Sequence, residues 1–329
     1  MLTDHLPRLS LAHLPTPLEP LPRLSAALGG PQLWIKRDDQ TGLATGGNKA
    51  RKLEFLVAEA LAQGATTLIT AGAPQSNHAR QTAAAAARCG LRAILVLGGG
   101  PPTQSRRGGN VLLDRLLGAD IRWTEGDKRA EVMAEVAEEE RAAGRRPYVV
   151  PYGGSNPVGA CGYVAALEEL AQQLAQRSLD VDHLVFATSS GGTQAGLSVA
   201  AKALSFPARI VGISVDKEAR ELQARLAVLA EETAAHLGLG LHFEPDEFIV
   251  NDDYCAAGYG VVTEREKEAI RLLAETEGVL ADPVYTGRAL AGLVDLIRRG
   301  AFGRQETVCF WHTGGTPGLF AYGEEGLLV

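Results

Sequence analysis

From residue 66 onward the chain alternates apolar, β-rich runs with alanine-rich stretches of helical length. That rhythm restricts the fold to parallel sheets covered by helices on both faces. "TTLITAG" (66–72), "AILVLGG" (93–99), a short run at 119–124 and "PYVVPYGG" (147–154) read as strands. Residues 79–90, 110–117 and 127–143 read as the helices between them, with a glycine- and proline-rich loop at 98–110. After a helix at 159–176, strands are expected at 183–188, 209–215, 247–250 and 307–312, separated by helices at 193–204, 217–237, 263–277 and 286–299. A chain of 329 residues has room for two such units, each with a core of its own.

Composition removes several function classes. The net charge is −7 and no basic cluster breaks the pattern, so a nucleic-acid partner is not expected. No apolar run approaches the roughly 18 residues of a membrane span, and prolines interrupt the first twenty residues where a signal peptide would lie. Cys89, Cys161, Cys255 and Cys309 lie far apart, which fits free thiols in a reducing compartment, the cytoplasm. The seven histidines form no H-E-x-x-H, and no metal site is expected.

In open α/β sheets ligands bind where strands end and loops begin. Four such turns carry concentrated polarity. "SSGGTQAG" (189–196) combines two glycines with Ser189, Ser190 and Thr193 at a helix start, a cup suited to phosphate or simply a strand–helix turn. It lacks the lysine of a nucleotide P-loop. "PQSNHAR" (74–80) sets Gln75, Ser76, Asn77 and His78 at another helix start, either as caps or as a receptor for a carboxylate. "HTGGTPG" (312–318) and "ADPVYTG" (281–287) complete the group.

Lys49 follows Gly46, Gly47 and Asn48 and opens a helix whose apolar stripe is Leu53, Leu56, Val57, Ala60 and Leu61. It lies one turn before Leu53 on that stripe and therefore faces inward, whereas Arg51 and Lys52 read as ordinary solvent-facing charges. Burial favours a neutral amine, the state required of a Schiff-base lysine. A phosphate cup, a carboxylate receptor and an inward lysine together point to pyridoxal phosphate acting on an amino acid.

These stretches, from "HLPTPLEPLPRLS" through "LWIKRDDQTGLATGGNKARKLEFL", "QSNHARQTAAAAA" and "SSGGTQAGL" to "DPVYTGRAL" and "HTGGTPGLFAY", span nearly the whole chain. In them the chain resembles the D-cysteine desulfhydrase and 1-aminocyclopropane-1-carboxylate deaminase family of fold type II pyridoxal-phosphate enzymes. The resemblance implies a fold like that of the tryptophan synthase β chain. A large domain of residues 1–50 and 155–329 would carry an inserted smaller α/β domain at 51–154, with pyridoxal 5′-phosphate in the cleft between two mainly parallel sheets, and a homodimer. It implies that Lys49 binds the cofactor covalently, that Asn48 touches its ring oxygen, and that Ser189, Gly191, Gly192 and Thr193 hold its phosphate. Thr313 would stand beside the pyridine nitrogen. Ser76, Asn77 and His78 would receive the substrate carboxylate, with Asn77 also near the cofactor. Tyr285 and Tyr259 would be the active-site tyrosines, and Thr286 would face the substrate.

The activity so implied is α,β-elimination of D-cysteine to pyruvate, hydrogen sulfide and ammonia. The deaminase of the cyclopropane amino acid carries Glu after the active-site tyrosine, where this chain has Thr286, which argues for the desulfhydrase. L-cysteate sulfo-lyase is a close relative that eliminates sulfite. A cofactor-binding protein without catalysis is the alternative of another class, opposed by Lys49, Ser76 and Tyr285. A serine hydrolase is opposed by the absence of G-x-S-x-G.

Overall fold

The computed structural model describes residues 1–101, 108–125 and 128–323. It contains two sheets. The larger has six strands in the order β1 (Leu18–Pro20), β2 (Gln32–Arg37), β10 (Thr307–His312), β7 (His183–Thr188), β8 (Arg209–Ser214) and β9 (Ile249–Asn251). All run parallel except β1, which pairs antiparallel with β2 at one edge. The smaller sheet is wholly parallel, in the order β5 (Asp120–Thr124), β4 (Arg92–Gly98), β3 (Thr67–Gly72) and β6 (Pro147–Val149).

Every residue of β3, β7 and β10 is buried, because helices cover both sheet faces. On one face of the large sheet pack α6 (Pro157–Arg177), α7 (Gly192–Leu204) and α8 (Ala219–His236). On the other lie α1 (Pro22–Leu28), α9 (Glu264–Glu277) and α10 (Thr286–Arg298). Helices α2 (Lys49–Ala62) and α3 (Asn77–Arg88) cover one face of the small sheet, and α5 (Arg129–Ala142) the other. Each fully buried Leu, Ile or Phe in these clusters contributes roughly 1.5–3 kcal/mol. The remaining helices are α4 (Gly109–Leu116) and α11 (Pro317–Gly323). A Cβ at Gly162 of α6 would lie 2.4 Å from the Arg51 carbonyl oxygen, so this glycine lets α2 and α6 touch backbone to backbone.

The strand and helix rhythm expected from residue 66 onward is present, with ends shifted by a few residues. The middle of the 98–110 loop, 102–107, and the first residue of the 127–143 helix lie outside the described residues. The strand expected at 247–250 sits at Ile249–Asn251, after a 3-10 turn at Pro245–Glu247. Strands β1 and β2 have no counterpart in the expectation. In β2, Lys36 and Arg37 disguise a strand that sits beside β10, and Lys36 is fully buried by pairing with Glu169 at 2.5 Å.

Two charges on α2 overturn the reading of a solvated face: Arg51 and Lys52 are each 1% exposed. Arg51 donates Nε and Nη2 to the two oxygens of Asp38 (2.9 and 2.8 Å) and Nη1 to Glu169 (2.9 Å). Tyr163 donates to Asp38 at 2.6 Å. With Lys36 the cluster holds two cations and two carboxylates, and Arg51 and Lys36 hold Asp38 below the usual carboxylate range against its burial. Leu61, assigned to the apolar stripe, is 39% exposed near the end of the helix.

Candidate functional site

A cleft opens where the carboxyl ends of both sheets meet. Its lining takes Ser76, Asn77 and His78 from the turn after β3, Tyr152 and Gly153 from beyond β6, and Ala187 to Gly191 from the end of β7 and the turn after it. Thr193, Asn48, Lys49, Tyr285, Thr313 and Gly314 complete it. The helices α2, α3, α7 and α10 begin at this cleft, so four positive dipole ends converge on it.

Lys49 reaches the cleft because Gly46 and Gly47 take φ of 74° and 128°, values that a side chain strains against, and turn the chain abruptly into α2. A Cβ at Gly47 would fall 2.4 Å from Gln81 Nε2. The Lys49 amine donates to Asn48 Oδ1 (3.1 Å), and Asn48 Nδ2 donates to Thr193 Oγ1 (3.2 Å). Burial pulls the Lys49 amine down to about 8, with Arg80 adding to the effect and Asp282 opposing it.

At the second turn the Gly192 N–H donates to Ser155 Oγ (3.1 Å), which also bonds Ser190 Oγ (2.8 Å). Lys52 lies one turn beyond Lys49 on α2, and its Nζ donates to the Gly153 carbonyl (3.2 Å) and Ser155 Oγ (3.3 Å). Burial depresses this amine strongly, and the charges acting on it, Lys49 and Arg225, are both positive. Lys52 thus forms one wall of a cup suited to an anion. The Thr188 hydroxyl, also in the lining, has no hydrogen-bond partner. Glycine backbone, unpaired hydroxyl, helix start and buried amine together suit a phosphate group, and a Lys49 amine lowered to about 8 suits the aldehyde of pyridoxal phosphate.

Ser76 caps α3, its Oγ accepting from Ala79 N at 3.1 Å, which leaves its own proton for a ligand. His78 Nε2 lies 2.9 Å from Thr70 Oγ1, while Nδ1 is buried without a partner. Burial, then the charges of Lys49 and Lys52, keep this imidazole well below its usual range and hence neutral. Tyr285 and Tyr259 hydroxyls lie 3.0 Å apart, with the rings edge to face at 5.9 Å. Burial holds the Tyr285 phenol well above its usual range. Tyr259 bonds Tyr285 but stands behind it, outside the lining.

Thr286 departs from the expectation. It is fully buried, and its hydroxyl donates to Asp282 Oδ1 and accepts from Asp282 N, both at 2.7 Å. It belongs to the cap of α10 and is not part of the cleft lining. Sequence reading also passed over Lys52, Ser155 and Tyr152. Lys52 carried a signal, its i, i+3 spacing from Lys49; Ser155 and Tyr152 carried none, since only the fold brings residue 155 to residue 192.

Among the described residues no group of three or more His, Cys, Asp or Glu side chains is placed to hold a metal ion, and no helix is long and apolar enough to cross a membrane.

Residues 9–314 match the family model described as pyridoxal-phosphate dependent enzyme. The chain is 46% identical over 321 residues to a D-cysteine desulfhydrase of Klebsiella pneumoniae (strain 342), covering 96% of each chain. Among solved structures it is similar to an ACC deaminase homologue, with 42% identity, a TM-score of 0.89, and 98% of this chain and 96% of the other covered. A threonine deaminase from T.th. shares the fold at 22% identity, with a TM-score of 0.67 over 91% of this chain and 92% of its own.

Proposed function

The chain belongs to the pyridoxal-phosphate dependent enzymes, and on that premise we propose that it eliminates sulfide from D-cysteine, yielding pyruvate and ammonia. The carrying observation is a cleft that joins Lys49 to an anion cup on one side and a carboxylate receptor on the other. The 46% identity to a desulfhydrase supports the substrate.

In this reading Lys49 holds the cofactor covalently, and Lys52, Ser189, Gly191, Gly192 and Thr193 hold its phosphate. Asn48 would serve its ring oxygen, with Asn77 close by, and Thr313 would serve the ring nitrogen. The bound cofactor supplies an electron sink for the pair left on Cα when its proton departs. Lys49 Nζ, freed when the substrate amine takes its place, would accept that proton; a free amine lowered to about 8 is matched to the task near neutral pH. Ser76, with the amide N–H groups of Asn77 and His78 at the start of α3, receives the substrate carboxylate. The Tyr285 hydroxyl, kept protonated and backed by Tyr259, offers a donor to the departing sulfur. A thiolate leaves without a strong acid, so this neutral pair suffices.

Deamination of the cyclopropane amino acid is the second reading, favoured by the likeness to the ACC deaminase homologue. It needs acid–base help at the ring, and the residue after Tyr285 is Thr286, whose hydroxyl cannot ionise and is bonded to Asp282. L-cysteate sulfo-lyase activity is a third outcome of the same test. We further infer a cytoplasmic homodimer, with the small domain at 51–154 inserted in the large one. Exposed Leu112 and Leu116 on α4 and Phe320 on α11 offer apolar surface for a subunit contact. Incubating purified protein with D-cysteine tests the activity: sulfide and pyruvate in equal amounts are expected, and both vanish in Lys49→Ala. Turnover surviving that substitution overturns the reading.

A further inference from the structure

Behind the loop that follows β3 lies a layer of side chains that the chemistry above does not use. Arg80 of α3 is fully buried. Its Nη1 donates to Asn77 Oδ1 (3.0 Å) and Asn110 Oδ1 (2.8 Å), and its Nη2 to the Gly46 carbonyl (2.6 Å). Asn110, in the first turn of α4 and also fully buried, donates Nδ2 to the Gln75 carbonyl (2.9 Å) and to Asn77 Oδ1 (3.0 Å). Its backbone N–H goes to Gln75 Oε1 at 2.8 Å.

An amide oxygen offers two lone pairs, and both of those on Asn77 are taken. Turning the amide over would set its NH2 against a guanidinium and another NH2, three donors with no acceptor among them. We propose that Arg80 and Asn110 are positioning residues that pin the Asn77 amide with its oxygen away from the cleft, so that Asn77 presents the cleft with an N–H donor only and selects an acceptor oxygen on the occupant. This rests on the cleft being the cofactor and substrate site. A Cβ at Gly315 would lie 2.8 Å from Asn77 Nδ2, so the bare glycine keeps the space beside that nitrogen open. Asp114, four residues on in α4, is the carboxyl whose charge acts most on Arg80, yet neither of its oxygens is hydrogen-bonded, so it does not draw the guanidinium off Asn77. The same guanidinium holds the Gly46 carbonyl, just ahead of Lys49, and so ties the two loops together.

The acceptor oxygen belongs either to the cofactor ring or to the amino-acid carboxylate, and a double-mutant cycle separates the two. Holoenzyme is prepared with Asn110→Ser, Asn77→Ala and both together, with Arg80→Lys as a second variant that keeps the buried charge. Two quantities are read on each: the affinity for pyridoxal phosphate, from its release on dilution, and the affinity for D-alanine, which has the carboxylate but no leaving group. Asn110→Ser and Arg80→Lys each weaken one of these ligands about tenfold when Asn77 is present and less than twofold when it is alanine. Coupling in the first quantity assigns the donor to the ring oxygen, and coupling in the second to the carboxylate. Equal losses with and without the Asn77 amide mean a merely structural role and overturn the proposal, as does an Asn77→Asp protein that binds both ligands as tightly as the parent. A parent protein that binds no pyridoxal phosphate overturns the reading of the cleft as well, whereas a binding parent without coupling overturns only the amide orientation.

Discussion

Lys52 Nζ stands 2.9 Å from the point where a Cβ on Gly192 would lie, so one buried amine and one bare backbone position face each other across the cup. The amine has neutral partners, and the charges near it repel it. Such a group is costly in the empty protein and favourable once an anion arrives.

Lys52→Met therefore weakens pyridoxal phosphate binding tenfold or more, the roughly 1.5–3 kcal/mol of a hydrogen bond to a charged group. The cofactor-free protein loses no stability and becomes harder to unfold, because a buried amine without a charge partner has gone. Equilibrium dialysis and denaturant titration of the same preparation read both effects. Unaltered cofactor affinity removes Lys52 from the cup.

Gly192→Leu blocks the same space from the other side, since a Cβ already meets Ser155 Oγ at 2.7 Å. Cofactor retention is expected to be lost while the fold persists, which circular dichroism of the variant checks. A yellow Gly192→Leu protein contradicts the assignment.

The Lys49 amine gives a pH signature. Its value near 8 is set by burial and Arg80 against Asp282. In the cofactor-free protein, modification of Lys49 by a small amine reagent rises with pH and levels off above about 8, whereas an ordinary lysine climbs towards about 10.4. Arg80→Met moves the midpoint up and Asp282→Asn moves it down. Between these two values the unfolded chain binds more protons at this group than the folded one, so its contribution to stability rises with pH over that window. A midpoint left in place by both substitutions contradicts the account.

Arg51→Met leaves the buried Asp38 and the partly buried Glu169 with Lys36 as the remaining cation of the cluster. Breaking a buried ion pair from one side costs about 3–5 kcal/mol, and urea unfolding measures it. A loss below about 1 kcal/mol shows the cluster to be hydrated.

The parallel sheets and the four polar turns were legible because both are local: apolar runs, glycine pairs and helix starts are read from neighbours in the chain. Lys49 was legible for the same reason, through its spacing to Leu53. Lys52 shared that face at i+3, yet a lysine on a helix is usually solvated, and the partners that bury it, Gly153 and Ser155, lie a hundred residues away. Arg51 and Lys36 were hidden likewise by Glu169, and with Lys36 went strand β2. Thr286 shows the converse, a residue next to Tyr285 in sequence that turns into the helix cap. The layer of Arg80 and Asn110 has no signature in sequence, since it exists only where α4 meets the loop after β3.

The central claim is tested most directly by comparing kcat/KM of the purified holoenzyme for D-cysteine, L-cysteine, L-cysteate and the cyclopropane amino acid, reading sulfide, sulfite, ammonia and keto acid together. Sulfide and pyruvate from D-cysteine are expected to be fastest, L-cysteine slower, and 2-oxobutanoate from the cyclopropane substrate close to nil. Faster 2-oxobutanoate from the cyclopropane amino acid than sulfide from D-cysteine, or sulfite from L-cysteate outrunning both, contradicts it.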